Sequence, residues 1–402
     1  MESMFALRRI PKLLPPLIAM AAVVGSVCAF FLWSLDAVTG IRFSHPWLLY
    51  FLPVAGVVVI WVYGKFGRDC EGGTSLIMGE IDEPRTGVPR AMAPLVLFGT
   101  LMTHLCGGSA GREGTAVQMG GSIAGWLSRA AKLEPAQVRM MLMGGVAAGF
   151  GAVFGTPFAG ALFAVKVARF RVESLGPCLA SALVGDWVCD AWGTVHTRYV
   201  VGGAFTLSPW LAGKMVFAAV VFGLAARFYC AVSHSASGFM KRAAPSAMLR
   251  SVLGGVLVIA LFFVAGTGDY LGLGVWSRDA SAVTISSFFT SPEIHPWSWI
   301  WKLVFTVLTL SAGFKGGEFT PLFFIGAALG NALAGLCSAP PDLFAALGFA
   351  AVFAGAAKSP LASTVMALEL FGPTHGIYLA AACFIARAVS GKSSIFVSPT
   401  DK

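Results

Sequence analysis

Two carboxylates stand among glycines at the mouths of apolar runs: Glu113 in GGSAGREGTAVQMGG and Glu318 in GGEFTPLFFIGAALG. A glycine-rich turn that feeds a helix leaves the first backbone N–H groups unpaired, with the positive end of the helix dipole beside them. Such a place binds anions. Gly111, Gly114, Gly316 and Gly317 read as this cradle, whereas the scattered Gly144, Gly145, Gly254 and Gly255 read as close helix packing. A carboxylate beside the cradle has two states. Deprotonated, it occupies the site as a tethered anion; protonated, it loses that attraction and swings away. A mobile anion then enters only when the glutamate has taken a proton, which couples the two movements. The alternative is structural pairing of Glu113 with Arg112, and sequence neighbours on a helix do not face each other.

Such carboxylates need elements to hold them, and composition places those elements in a bilayer. Hydrophobic residues make up 57% of 402 and charged residues 12%, against the roughly one quarter charged that is usual in soluble domains. Leu13 to Leu35, Met140 to Val165 and Phe319 to Pro341 carry no charge over 23, 26 and 23 residues, each long enough to cross as a helix. Thr115 to Ser128, Leu343 to Ala357 and Ser359 to Leu368, with 14, 15 and 10 uncharged residues, are too short and predict broken or re-entrant helices. The fold class expected is an all-α polytopic membrane protein.

The net charge of +9 is spread among loops, which suits a membrane surface and not nucleic acid. Arg8, Arg9 and Lys12 precede the first span, and Lys65 and Arg68 follow the second, Trp47 to Tyr63. Two crossings return the chain to one side, which the positive-inside rule makes the cytoplasm. The localisation expected is the inner (cytoplasmic) cell membrane, with the first run retained as a helix and not cleaved as a signal peptide. The eight cysteines stand singly and no histidine lies at ligand spacing, so they read as small core residues. No metal and no cofactor are expected.

The chain repeats itself. GREGTAVQMGGSIAG from Gly111 aligns with GGEFTPLFFIGAALG from Gly316 at an offset of 205, matching Glu113 with Glu318 and Thr115 with Thr320. AAGFGAVFGTPFAGA from Ala147 aligns with AAVFAGAAKSPLAST from Ala350 at an offset of 203, matching Phe150, Pro157 and Ala159. Duplication with half-length apolar segments at corresponding places points to a transporter whose site lies at the repeat interface. The halves are drawn at 1–200 and 201–402, with no soluble regulatory domain.

GREGTAVQMGG with GGEFTPLFFIGAALG, followed by GTPFAG and a terminal GKSSIFVS, resembles the CLC family of anion channels and proton-coupled antiporters, most closely its fluoride-exporting branch. The resemblance runs from about Gly64 to Ser398. It implies a homodimer in which each subunit builds its own pore from two inverted-topology repeats of tilted and broken helices. Glu113 then matches the external gating glutamate, and Phe319 the phenylalanine that contacts the anion. Glu318 stands where it could receive or stabilise the moving Glu113. Met78 falls at the serine of chloride-type members, and Thr115 where they usually carry proline. The implied anion-binding set is Met78, Gly79, Arg112, Gly114, Thr115, Phe319, Thr320 and Phe396, with Glu113 and Glu318 for gating and proton transfer and no catalytic group.

Two positions depart from the chloride pattern. The pore tyrosine is Phe396, whose ring edge is a weaker partner for an anion than a phenolic O–H. The internal proton glutamate of chloride antiporters is absent from FAVKVARF, which offers Lys166 and Val167, as in the fluoride branch. The function implied is export of fluoride in exchange for protons, giving fluoride resistance, with fluoride ion, proton and lipid bilayer as partners. A CLC chloride channel or chloride/proton antiporter is the alternative; a lipid-modifying enzyme lacks any paired-aspartate or Ser/His constellation. His104 reads as a core histidine, and Asp82, Glu83, Arg85, Arg129, Lys132, Arg169 and Arg171 as loop or interface anchors.

Overall fold

In a computed structural model, residues 2–83, 85, 87–167, 172–202, 208–290 and 295–396 are described. Arg169, Arg171 and Ser398 lie outside them, as does the side chain of Val167. The described residues fold into sixteen α-helices, joined by short 3₁₀ turns and loops. The first eight are α1 (Glu2–Ser44), α2 (Leu52–Phe66), α3 (Gly73–Asp82), α4 (Met92–Leu105), α5 (Glu113–Ala130), α6 (Pro135–Phe154), α7 (Pro157–Val167) and α8 (Leu175–Ala191). The second eight are α9 (Pro209–Ala243), α10 (Ala247–Ala265), α11 (Ser287–Thr290), α12 (Ser298–Ser311), α13 (Phe319–Cys337), α14 (Pro341–Ala357), α15 (Pro360–Phe371) and α16 (Gly376–Val389). Among the described residues, six segments are long and apolar enough to cross a membrane: Leu13–Ser44, Pro46–Phe66, Pro135–Phe154, Pro209–Ala243, Ala247–Ala265 and Phe319–Cys337.

The uncharged run from Met140 to Val165 is not one span. Gly155 adopts the left-handed conformation (φ 68°) that closes α6, and Pro157 opens α7 after it. The expected 26-residue crossing is therefore a 20-residue helix followed by an 11-residue one. Hydropathy carries no information about a two-residue break. The three short runs fall in α5, α14 and α15, of 18, 17 and 12 residues, with Ser359 as the N-cap of α15.

The two halves pack by one plan. Helix α5 lies on α6 as α13 lies on α14; α6 lies on α7 and α8 as α14 does on α15 and α16; α1 packs on α4, α6 and α8 as α9 packs on α12, α14 and α16. Each central crossing closes on glycine. A Cβ on Gly120 would stand 2.0 Å from the Gly145 carbonyl oxygen, and one on Gly326 would stand 2.1 Å from that of Gly348. Backbone cannot retreat from such contacts, so small residues are obligatory there.

The halves meet head to head. Gly111 and Gly317 form an antiparallel bridge, with Gly111 N–H donating to Gly317 O (2.6 Å) and Gly317 N–H donating to Gly111 O (2.7 Å). Helices α5 and α13 start from opposite ends of this bridge, the arrangement of an inverted repeat. The bridge also corrects the repeat register: 317 less 111 gives 206, where the motif alignment takes 205. At that offset Arg112 and Glu318 are both helix N-caps, and Glu113 corresponds to Phe319. The expected equivalence of Glu113 and Glu318 fails by one residue, because glycine and alanine repeats tolerate a slip that a single charged match then favours.

Candidate functional site

The site is the ground around this bridge. Gly111, Gly114, Gly316 and Gly317 serve the close approach of the two motifs: a Cβ on Gly317 would stand 2.8 Å from Gly114 N, one on Gly316 2.4 Å from the Ala110 Cβ, and one on Gly111 3.0 Å from Pro321 Cδ. The expected division between cradle glycines and packing glycines is thus corrected, because these four pack as well. Their packing brings the start of α13 within reach of the Glu113 side chain.

Glu113, first residue of α5, is 1% exposed. Its Oε2 accepts from the backbone N–H of Thr320 (3.2 Å) and of Arg112 (3.1 Å), and its Oε1 accepts from the Thr320 hydroxyl. The Arg112 Nε lies 3.7 Å from Oε1. A buried carboxylate is costly unless its oxygens are occupied by donors, and here three hydrogen bonds and one cation do so. Two of these bonds come from the second residue of α13, at the positive end of the opposing repeat's helix. Glu113 is therefore seated on donors from the other half of the molecule.

Arg112 and Glu113 do approach each other, against the expectation that neighbours point apart. Arg112 is the N-cap, ahead of the first helical residue, so the spacing rule for helix interiors does not apply to it. Arg112 also lines an open cleft of about 690 Å³ together with Asp36, His45, Thr197 and Arg278. The guanidinium thus joins the cleft to the buried carboxylate.

Glu318 does not face Glu113. Its Oε1 accepts from Tyr229 Oη (3.1 Å) and Ser233 Oγ (3.3 Å), both on α9. The hydroxyl that holds Glu113 belongs to Thr320, two residues on. Tyr229 and Ser233 were not singled out in the sequence, although a tyrosine and a serine four residues apart mark one polar face on an otherwise apolar stretch of helix.

Phe319 is buried among aromatic rings, with centroids at 4.9 Å to Phe353, 5.8 Å to Phe163, 5.9 Å to Phe396 and 6.2 Å to Phe150. The contact with Phe396 is edge to face. Above the Phe396 ring, at 5.7 Å, stands the Lys166 ammonium, which donates to the Ala357 carbonyl (2.8 Å). Lys358 next to it donates to the Ser390 hydroxyl and carbonyl. The position without a phenol therefore carries a lysine over its ring, which the sequence showed only as a missing glutamate.

Three expected residues lie apart from this constellation. Met78 and Gly79 sit beyond the first turn of α3, which starts at Gly73, so their amides are bound within the helix and not free for an anion. The open start of α3 is at Gly73 and Thr74, where Gln118 of α5 donates to the Thr74 hydroxyl (3.3 Å). Thr115 is fully buried with its hydroxyl 2.7 Å from that of Thr100 on α4. His104 keeps the core role expected of it, its ring nitrogens 2.9 and 3.1 Å from the carbonyl oxygens of Thr100 and Ala110.

Residues 55–391 match the family model described as voltage gated chloride channel. A protein of Pseudomonas syringae pv. tomato described as a chloride/fluoride channel protein is 44% identical over 379 residues, which cover 94% of this chain and 83% of that protein. A crystal structure of a CLC-type fluoride/proton antiporter superposes with a TM-score of 0.91 at 32% identity, covering 96% of this chain and 97% of the other. The fold is shared more widely: a slow cyanobacterial Cl⁻/H⁺ antiporter gives a TM-score of 0.83 at 18% identity, with 96% of each chain covered.

Proposed function

Because this chain belongs to the voltage-gated chloride channel (CLC) family, we propose that it is a fluoride/proton antiporter that exports F⁻ in exchange for H⁺. The observation that carries the proposal is Glu113 seated on the N–H and O–H of Thr320. Those two donors, one to each carboxylate oxygen, lie side by side at a helix start, where a small, strongly hydrated anion finds replacements for the water it gives up. When Glu113 takes a proton, its claim on both donors falls and fluoride replaces it. When fluoride leaves, the glutamate returns its proton to the opposite side and reseats.

The remaining residues take roles around that exchange. Arg112 draws the anion between Glu113 and the cleft lined by His45 and Arg278. Phe319 and Phe396 present ring edges in the path, and Lys166 and Lys358 supply positive charge at the other end. Glu318, tied to Tyr229 and Ser233, serves as a second proton-holding carboxylate. Gly114 admits the Gly317 backbone that aligns Thr320. The role first drawn for Met78 and Gly79 passes to the open start of α3.

The same proposal sets the halves at 1–200 and 201–402, and puts Lys65 and Arg68 on the cytoplasmic side of the inner membrane. The Arg112 cleft then opens outward. A homodimer is proposed through α7, α8, α15 and α16, whose Phe158, Leu183, Trp187, Leu361, Ile377 and Phe384 are exposed. Fluoride resistance of the cell follows, since hydrofluoric acid enters neutral and dissociates inside. The test is efflux from proteoliposomes loaded with fluoride or chloride, with lumenal pH followed. Fast fluoride efflux, slow chloride efflux and opposite proton movement are expected; equal chloride efflux would move the chain to the chloride alternative.

A further inference from the structure

Sequence spacing offers no metal motif, but folding brings together three ligands from two places. Asp186 and Asp190 are four residues apart on the last turns of α8, hence on one face. His196 reaches them from the loop that follows. One donor atom from each of the three lies within 4.8 Å of the other two.

Four observations distinguish this group from an ordinary surface cluster. The Asp186 Oδ1 and the His196 Nδ1 are buried and have no hydrogen-bond partner. Such atoms are costly unless something satisfies them. The His196 Nε2 stands 3.1 Å from Asp190 Oδ1, within ion-pair distance, so imidazole and carboxylate are already drawn together.

The ring is also held in place. A Cβ on Gly155 would stand 2.8 Å from it, so the imidazole covers the left-handed residue that ends α6. The carbonyl ends of α6 and α8 both approach the group, and helix C-termini favour positive charge.

We propose that Asp186, Asp190 and His196 form a binding site for a divalent transition-metal ion of the Zn²⁺ type. Two carboxylates and a neutral imidazole supply mixed oxygen and nitrogen ligands and two negative charges, the donor set for which Zn²⁺ is well suited. Bonds of about 2.0–2.2 Å put tetrahedral ligands roughly 3.3–3.6 Å apart. The observed spread must contract, and Asp190, 54% exposed, is the side chain free to move inward. Arg112 and Arg198 both stand near enough to His196 to oppose a cation here, set against the two aspartates.

The site forms part of the cleft wall. Val195 and Thr197, on either side of His196, line the cleft that holds Arg112. A bound ion would fix that wall. This consequence rests on the proposed transport function, whereas metal binding does not.

The test uses the purified full-length chain stripped with chelator, and Zn²⁺ alone competed against a zinc-sensitive dye. Binding by the parent chain is expected, weakened roughly tenfold or more in His196→Ala and Asp186→Asn and unchanged in His45→Ala. Should His196→Ala lose the parent's gel-filtration profile, His196→Asn takes its place. No binding by the parent, or equal binding by parent and His196 variant, overturns the site. External Zn²⁺ is further expected to slow fluoride efflux from proteoliposomes of the parent and spare the His196 variant. Binding without that slowing overturns the coupling to transport and leaves the site standing.

Discussion

At the scale of single residues, the account turns on Thr320. Its N–H and O–H hold the Glu113 carboxylate, and the proposed exchange has an anion take over these two donors. Valine keeps the shape of threonine and removes the hydroxyl. A hydrogen bond to a charged group contributes about 1.5–3 kcal/mol, so Thr320→Val is expected to weaken apparent fluoride affinity roughly tenfold or more, read from the concentration dependence of efflux. An unchanged affinity would place the anion elsewhere. Glu113 itself was legible because a carboxylate beside glycines in an apolar chain has few structural explanations. The partners of Glu318 were not, since Tyr229 and Ser233 lie on α9, some 85 residues or more away in the chain. Lys166 was visible only as an absence, because its contact with Phe396 joins residues that no local pattern connects.

At the scale of elements, the crossing of the two repeats depends on backbone touching backbone. Gly317 has no room for a Cβ against Gly114 N at 2.8 Å. Gly317→Ala is expected to lower stability by about 1–3 kcal/mol, the usual cost of overpacking, and to slow transport with it. Thermal unfolding of the detergent-solubilised protein measures the first effect, and a midpoint equal to the parent's would contradict it. The short apolar runs of 14, 15 and 10 residues located α5, α14 and α15 but understated their lengths of 18, 17 and 12 residues, because helix ends carry polar residues that hydropathy leaves out. The break between α6 and α7 was hidden, since Gly155 and Thr156 interrupt a helix without interrupting apolarity. The register of the repeat slipped by one for a related reason. Small residues set the crossings in both halves, and small residues repeat too often to fix an alignment, whereas a pair of backbone hydrogen bonds between Gly111 and Gly317 fixes it at once.

At the scale of the whole molecule, two inverted halves place two helix starts at one interior point, and the charge brought there is a side chain of the protein itself. A fixed anion alone would block the path, and a site without one would leak. A carboxylate that leaves on protonation would do neither, and that is the role proposed for Glu113. Glu113→Gln retains shape and hydrogen-bonding capacity while removing titration. The most direct measurement is therefore fluoride efflux and lumenal pH recorded together in proteoliposomes of this variant and of the parent. In the parent, an imposed proton gradient is expected to drive fluoride against its own gradient; in Glu113→Gln, fluoride and proton movement are expected to be uncoupled, whatever fluoride flux remains. Proton-driven fluoride accumulation persisting in Glu113→Gln would contradict the account.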